Sequence, residues 1–192
     1  MPGVGGRMTL HADARAVLSA WDAPDEPQDS LRATYLDHLD EHPDAMLRDC
    51  HPDHLTASAL VVSHDHRMAV LTLHAILGRW LQTGGHCEPD DLTLAGAALR
   101  EAREETGIDD LTIDPVPLLL SRHEVPCGPL RPSHHLDVQF VAVAAADATP
   151  VMSQESIDLG WFALADPPEP TDQSVRDLIA AASSRLRGTP SP

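Results

Sequence analysis

Apolar side chains recur along this chain at two spacings, and the switch between them marks out its elements. From His11 to Trp21, the residues Ala14, Val17, Leu18 and Trp21 repeat at three- and four-residue steps, the period of one helix face. Ser30–His42 repeats that period with Leu31, Tyr35, Leu36 and Leu39; Ser30 can cap the start, and Pro43 ends the helix. Asp22–Asp29, acidic and proline-bearing, reads as the break between them. Beyond His54 the texture changes. Leu55–Ser63 and Arg67–Leu73 are apolar runs flanking the turn residues His64-Asp65-His66, which predicts a hairpin. Arg79–Gln82 reads as a short strand entering a glycine pair, with Trp80 in the core or on a pocket wall. A helical period returns through Leu94, Ala95, Ala98, Leu99 and Ala102; Thr93 or Asp91 can cap it, and Gly107 sits where a left-handed residue closes a helix. Pro115–Glu124, His135–Ala145 and Ile157–Ala163 are further strands, and Thr171–Arg187 is a closing helix.

Strands interrupted by one helix and closed by another make a mixed α/β class. Two amphipathic helices cannot bury their faces alone. Residues 1–50 are therefore expected to be an N-terminal helical extension that packs on the domain, as a lid, or across a homodimer. Residues 51–187 are the expected domain, and 188–192 a frayed tail. In 192 residues the apolar share is 42%, but aromatics supply only 3%, so the core must rest on Leu, Val, Ile and Ala. Thirteen basic residues, all Arg, face 30 acidic ones, for a net charge of −17. Such a surface repels duplex nucleic acid and anionic membrane, and an anionic substrate needs metal ions or arginine to enter. Cys50, Cys87 and Cys127 form no CxxC pair, and no run resembles a signal peptide or a bilayer span. The expectation is a cytoplasmic protein.

The chemistry concentrates between Gly84 and Ile108. Around the helix axis Glu101, Glu104 and Glu105 share an arc beside the apolar one. At i, i+3 and i+4 their like charges cost roughly 0.2–0.5 kcal/mol per pair. A solvated face accepts that cost; a divalent cation turns it to use, because Mg²⁺ takes hard carboxylate oxygens and bridges to substrate phosphates.

Gly84–Ile108 resembles the signature of the Nudix hydrolase family, G-x5-E-x7-R-E-U-x-E-E-x-G-U, in which U is aliphatic. Arg100, Glu101, Ala102, Glu104, Glu105, Gly107 and Ile108 match its second half. Gly85 matches the leading glycine but stands one residue too far from Arg100. The first glutamate of the pattern therefore falls on Asp91, counted from the glycine, or on Leu92, counted back from the arginine. The resemblance extends over roughly His54–Leu186 in element order and implies an α/β/α sandwich with a mixed β-sheet.

It also implies a metal-dependent hydrolase that cleaves a phosphoanhydride bond in a nucleoside diphosphate linked to another moiety, such as a nucleoside triphosphate or ADP-ribose. Mg²⁺ is the implied cofactor, with Mn²⁺ as substitute. Carried over, Glu104, Glu101 and Arg100 are the catalytic set, and Glu101, Glu104, Glu105 and the Gly85 carbonyl the metal ligands. His86, Glu88, Arg79 and Glu155 are candidates to touch substrate, with Arg122 and Arg131 as further phosphate contacts. The general base is a signature glutamate, Glu155 or Asp158. The alternative is a catalytically silent Nudix-fold module that binds nucleotide or regulates; the presence of Glu101, Glu104 and Glu105 favours the enzyme.

Overall fold

A computed structural model of the chain describes residues 9–152 and 156–187. Two helices come first. α1 (Leu10–Ala20) starts on Thr9, whose hydroxyl accepts from the Ala12 N–H. α2 (Glu26–Glu41) starts four residues before Ser30, the expected cap. Asp25 already caps it, accepting from the Gln28 N–H at 2.9 Å, and Pro27 falls in the first turn, where a helix needs no N–H.

The strands are β1 (His54–Val62), β2 (Met68–His74), β3 (Trp80–Leu81), β4 (Thr83–His86), β5 (Leu111–Ile113), β6 (Leu119–Glu124), β7 (His134–Ala144) and β8 (Ser156–Ala163). Helix α3 (Leu94–Thr106) follows β4, and α4 (Gln173–Arg187) closes the chain. One eight-stranded sheet runs β3-β2-β1-β7-β5; β4 adds to β1, β6 to β7 and β8 to β2. β1 and β7 are parallel from His54↔His135 to Val62↔Val143, and the other pairs are antiparallel, so the sheet is mixed. Two expectations need correction. The strand expected from Pro115 begins only at Leu119, because Pro115 and Pro117 have no N–H for a ladder. The short strand expected over Arg79–Gln82 covers only Trp80–Leu81, and the glycine pair it was to enter lies inside a further strand, β4, pairing with Ala57 and Ser58 of β1.

Side-chain alternation along β1 and β7 divides the core. Leu55, Ala57, Ala59 and Val61 join Leu136, Val138 and Phe140 under α1, α2 and α3. Leu60, Val62 and Val141 face the other way, against Val175, Leu178 and Ile179 of α4. Helices therefore cover both faces of the sheet.

The N-terminal helices spend their apolar faces within this chain. Ala14, Leu18, Tyr35 and Leu39 are buried in the same cluster as β1 and α3. Each large apolar side chain buried this way contributes roughly 1.5–3 kcal/mol. Polar bonds fix the register. Trp21 Nε1 donates to the Pro117 carbonyl at 2.8 Å, and Tyr35 Oη to the Asp137 carbonyl at 3.4 Å. The Gln28 amide both donates to the Leu120 carbonyl (3.1 Å) and accepts from its N–H (2.7 Å). Among the described residues, no helix is long and apolar enough to cross a membrane.

Candidate active site on helix α3

Helix α3 is held at both ends. Thr93 Oγ1 accepts from the Gly96 N–H at 2.9 Å. The Leu94 N–H, another donor with no partner inside the helix, finds the buried Asp13 carboxylate of α1 at 2.8 Å. At the far end Gly107 adopts φ +64 and donates to the Arg103 carbonyl. Leu94, Ala97, Ala98 and Ala102 form the buried face; the alanines let the helix lie close to β1 and β4. The carboxylates occupy the edge of that face beside β4.

The glycine strand fits against them. A Cβ on Gly85 would stand 2.6 Å from Glu101 Oε1, so the carboxylate occupies the space a side chain would fill. A Cβ on Gly84 would stand 2.3 Å from Ser58 Cβ on the neighbouring strand. Meanwhile the Gly84 N–H donates to Glu105 Oε1 at 2.8 Å.

Arg100 gathers the acids. Its Nε and Nη2 fork onto Asp91 at 3.2 and 3.0 Å, and Nη1 reaches Glu101 Oε1 at 3.0 Å and Glu104 Oε2 at 3.1 Å. Nη2 also donates to the His86 carbonyl at 3.0 Å, and Glu88 lies 3.9 Å from Nε. Burial alone would lower the guanidinium pKa, but the bonds to Asp91 and Glu101 raise it above its ordinary value. Asp91, not Leu92, faces the arginine: its side chain is 8% exposed, whereas Leu92 is 47% exposed. The longer loop is absorbed in a turn closed at both ends, Glu88 N to Asp91 Oδ2 (2.7 Å) and Asp91 N to the Glu88 carbonyl (3.0 Å).

Gly85, Arg100, Glu101, Glu104 and Glu105 thus come together, with Glu88 and Asp91 at their border. Glu104 is the outermost of the signature acids that Arg100 holds, 59% exposed against 17% for Glu101. An open cleft of about 400 Å³ adjoins the loop, lined by Thr9, His11, Met46, Glu88, Asp91 and Leu92. A larger one, about 610 Å³, lies away from the acids, between the β1–β2 turn and the end of α4.

Other candidates lie elsewhere. Arg79 is ion-paired with Asp172, just ahead of α4. Arg122 pairs with Asp53 at 3.3 Å, and Arg131 donates to the Cys127 carbonyl at 2.7 Å. Strand alternation turns the His86 ring to the opposite face from Glu101, where it stacks on His54 with centroids 5.1 Å apart. Burial, then the neighbouring His54 and Arg48, push its pKa down to about 4. Asp158 accepts from the Leu159 N–H. Glu155 lies outside the described residues. Of the aromatics, Trp21, Tyr35 and Phe140 are core, and Trp80 packs edge-on against Phe162 at 4.6 Å.

Two polar features escape the sequence reading. Asp13 reaches α3 across 81 residues, and no local pattern announces it. Asp137, buried on the second face of the sheet, accepts from Thr56 (3.0 Å), Ser58 (2.6 Å) and Gln139 (3.2 Å). Only the run of Thr56, Ser58, Asp137 and Gln139 at alternate positions on two strands hints at a polar stripe.

Solved structures share this fold. The chain is similar to a NUDIX-family hydrolase from Clostridium perfringens at 23% identity, covering 69% of this chain and 97% of that one, with a TM-score of 0.57. It is similar to a C. elegans Ap4A hydrolase in a binary complex at 19% identity, covering 70% and 98%, TM-score 0.60. The NUDIX domain of Shewanella oneidensis NrtR, complexed with ADP ribose, matches at 24% identity over 69% and 87%, TM-score 0.54. Identities this low speak to the fold. No curated protein matches the chain. The family model of the NUDIX domain matches residues 52–182, a span that holds the glycine strand, the acidic helix and the whole sheet, and the chain belongs to the Nudix family.

Proposed function

We propose that this protein is a Nudix-type nucleotide pyrophosphatase that hydrolyses a phosphoanhydride bond in a nucleoside diphosphate linked to another moiety, with Mg²⁺ as cofactor and Mn²⁺ as substitute. The observation that carries the reading is the α3 edge, where Glu101 and Glu105 meet the glycine strand and Arg100 holds Glu101 and Glu104 in place. The donor set suits Mg²⁺: all hard oxygens, on a helix fixed at both ends. Glu104 and Glu105 are the principal ligands in this reading, with Glu101 ligating or supporting and the Gly85 carbonyl completing the set. Bound there, the cation would neutralise a diphosphate and acidify a coordinated water.

The protein's own part is positioning, the larger share of phosphoryl-transfer catalysis. Arg100 orients Glu101 and Glu104 and, through Asp91, anchors the loop that borders the 400 Å³ cleft. Its place among four acids suits a clamp more than a phosphate contact. Glu88, on the cleft wall, is assigned to the substrate side. The general base in this reading is a signature glutamate, Glu155 or Asp158. Residues 51–187 form the hydrolase domain in this reading, and residues 1–50 its helical extension.

The test is phosphate or pyrophosphate release with Mg²⁺ or Mn²⁺ across nucleoside triphosphates, ADP-ribose, dinucleoside polyphosphates and nucleotide sugars, beside Glu104→Gln. Wild type should turn over at least one of them. The variant should lose on the order of 100-fold, about 2.7 kcal/mol of transition-state stabilisation. Nucleotide binding without turnover by wild type would favour the silent binding module instead.

A further inference from the structure

The second face of the sheet carries a cluster that the hydrolase chemistry does not use. His54 opens β1, His135 lies beside it in the parallel register of β7, and His86 ends β4 on the other flank of β1. Their ring centroids are 4.9–5.1 Å apart. Cys127, from the β6–β7 loop, brings Sγ to 3.9 Å from His86 Nε2. One donor atom from each of the four residues lies within 4.8 Å of the others.

Hydrogen bonding leaves two nitrogens of this cluster without a partner among the described residues. His54 is 1% exposed, and among the described residues its Nε2 is buried with no partner; so is Nε2 of His135. Leaving a buried polar atom unpaired costs about 1–3 kcal/mol, and here two such atoms meet in one place. The tautomer of His54 is set by its other nitrogen. Nδ1 faces the Cys50 carbonyl at 3.3 Å, which can only accept, so Nδ1 carries the proton and Nε2 presents a lone pair. A ring nitrogen bonded to a main-chain carbonyl, with its opposite lone pair aimed at a shared centre, is the usual posture of a metal-binding histidine.

We propose that His54, His86, Cys127 and His135 bind a transition-metal ion, Zn²⁺ by preference, at a site separate from the α3 carboxylates. Three imidazoles and a thiolate suit zinc and not Mg²⁺. Four protein ligands close the coordination sphere, which marks the site as structural. A tetrahedral Zn²⁺ with donors at ~2.0–2.3 Å sets them roughly 3.3–3.6 Å apart, so modest side-chain rotation brings the present cluster to that size. The ion would tie the 125–133 loop to the ends of three strands. It would also steady the main chain at His86, whose carbonyl receives Arg100 on the opposite side of the sheet.

The test uses the full chain, stripped by chelator and titrated with Co²⁺. One equivalent should give intense tetrahedral d–d bands and a thiolate-to-cobalt charge-transfer band, and Zn²⁺ should bleach both. Cys127→Ser should lose the charge-transfer band, and His135→Gln most of the d–d intensity. Glu104→Gln should keep both, because ions held by carboxylates absorb weakly and carry no thiolate band. Circular dichroism reports whether each variant folds. Should one not fold, stoichiometric Zn²⁺ must still shield Cys127 of the wild-type chain from iodoacetamide, read by peptide mass. A weak octahedral spectrum from folded wild type, a charge-transfer band surviving in Cys127→Ser, or Cys127 alkylated at the same rate with and without Zn²⁺ would each overturn the proposal.

Discussion

Replacing Asp13 with alanine removes a carboxylate from α1, a helix with no part in the proposed chemistry, yet the loss is felt at α3. Leu94 is the first residue of α3, and its N–H meets Asp13 Oδ2 at 2.8 Å in a site where Asp13 is 6% exposed. No water replaces the acceptor readily. A hydrogen bond to a charged partner contributes about 1.5–3 kcal/mol. The same charge sits at the positive end of the helix dipole, an overlapping contribution of about 0.3–1 kcal/mol. The expected destabilisation is therefore ~2–3 kcal/mol, which for a chain of this size lowers Tm by roughly 4–12 °C. Asp13→Asn keeps an acceptor oxygen and loses the charge, so it should retain ~0.5–1.5 kcal/mol of the bond. Urea titration and thermal melts at neutral pH should rank wild type, Asp13→Asn and Asp13→Ala in that order. An alanine variant within ~0.5 kcal/mol of wild type, the range of a neutral surface change, would show that α1 does not brace the acidic helix.

Three further outcomes follow from the site. Arg100→Lys keeps a charge but not the fork that holds Asp91, Glu101 and Glu104 together; kcat/KM should fall about tenfold or more, ~1.4 kcal/mol, with a weaker apparent Mg²⁺ affinity in the same assay. Gly85→Ala and Gly84→Ala should separate activity from stability. The first meets the movable Glu101 carboxylate and should cost mainly metal-dependent turnover. The second meets Ser58 Cβ and main chain and should lower stability by ~1–3 kcal/mol in a thermal melt. In the metal-free folded chain, iodoacetamide followed by peptide mass analysis should label Cys127 first. Burial pushes the Cys50 thiol up to about 11 and the Cys87 thiol up to about 12, leaving little thiolate at neutral pH.

Helix α3 was legible because its determinants are local: Thr93, the apolar period, the three glutamates and Gly107 fall within one short stretch. β1, β2 and β7 were legible from sustained apolar runs. What was missed depends on partners far along the chain. β5 is three residues long, too short to show alternation. Gly84-Gly85 has the composition of a turn and becomes a strand only because β1 supplies its ladder and Glu101 fills the space above it. The ambiguity between Asp91 and Leu92 could be resolved only by seeing which side chain Arg100 reaches. The histidine cluster has no short spacing to betray it, since His54, His86, Cys127 and His135 meet through the pairing of β1 with β4 and β7.

The contact between Gln28 and Leu120 bears on the protein's behaviour in a crowded solution. Among the described residues β6 pairs only with β7, so its outer side is a sheet margin whose N–H and C=O groups can recruit a strand from another molecule. At Leu120 the Gln28 amide offers the donor and acceptor that an incoming strand would bring. A side chain from the N-terminal extension thus imitates one rung of a neighbouring strand and blocks that margin. The extension shields the chain against growing into a polymer through its own sheet, a protection lost if α2 comes away.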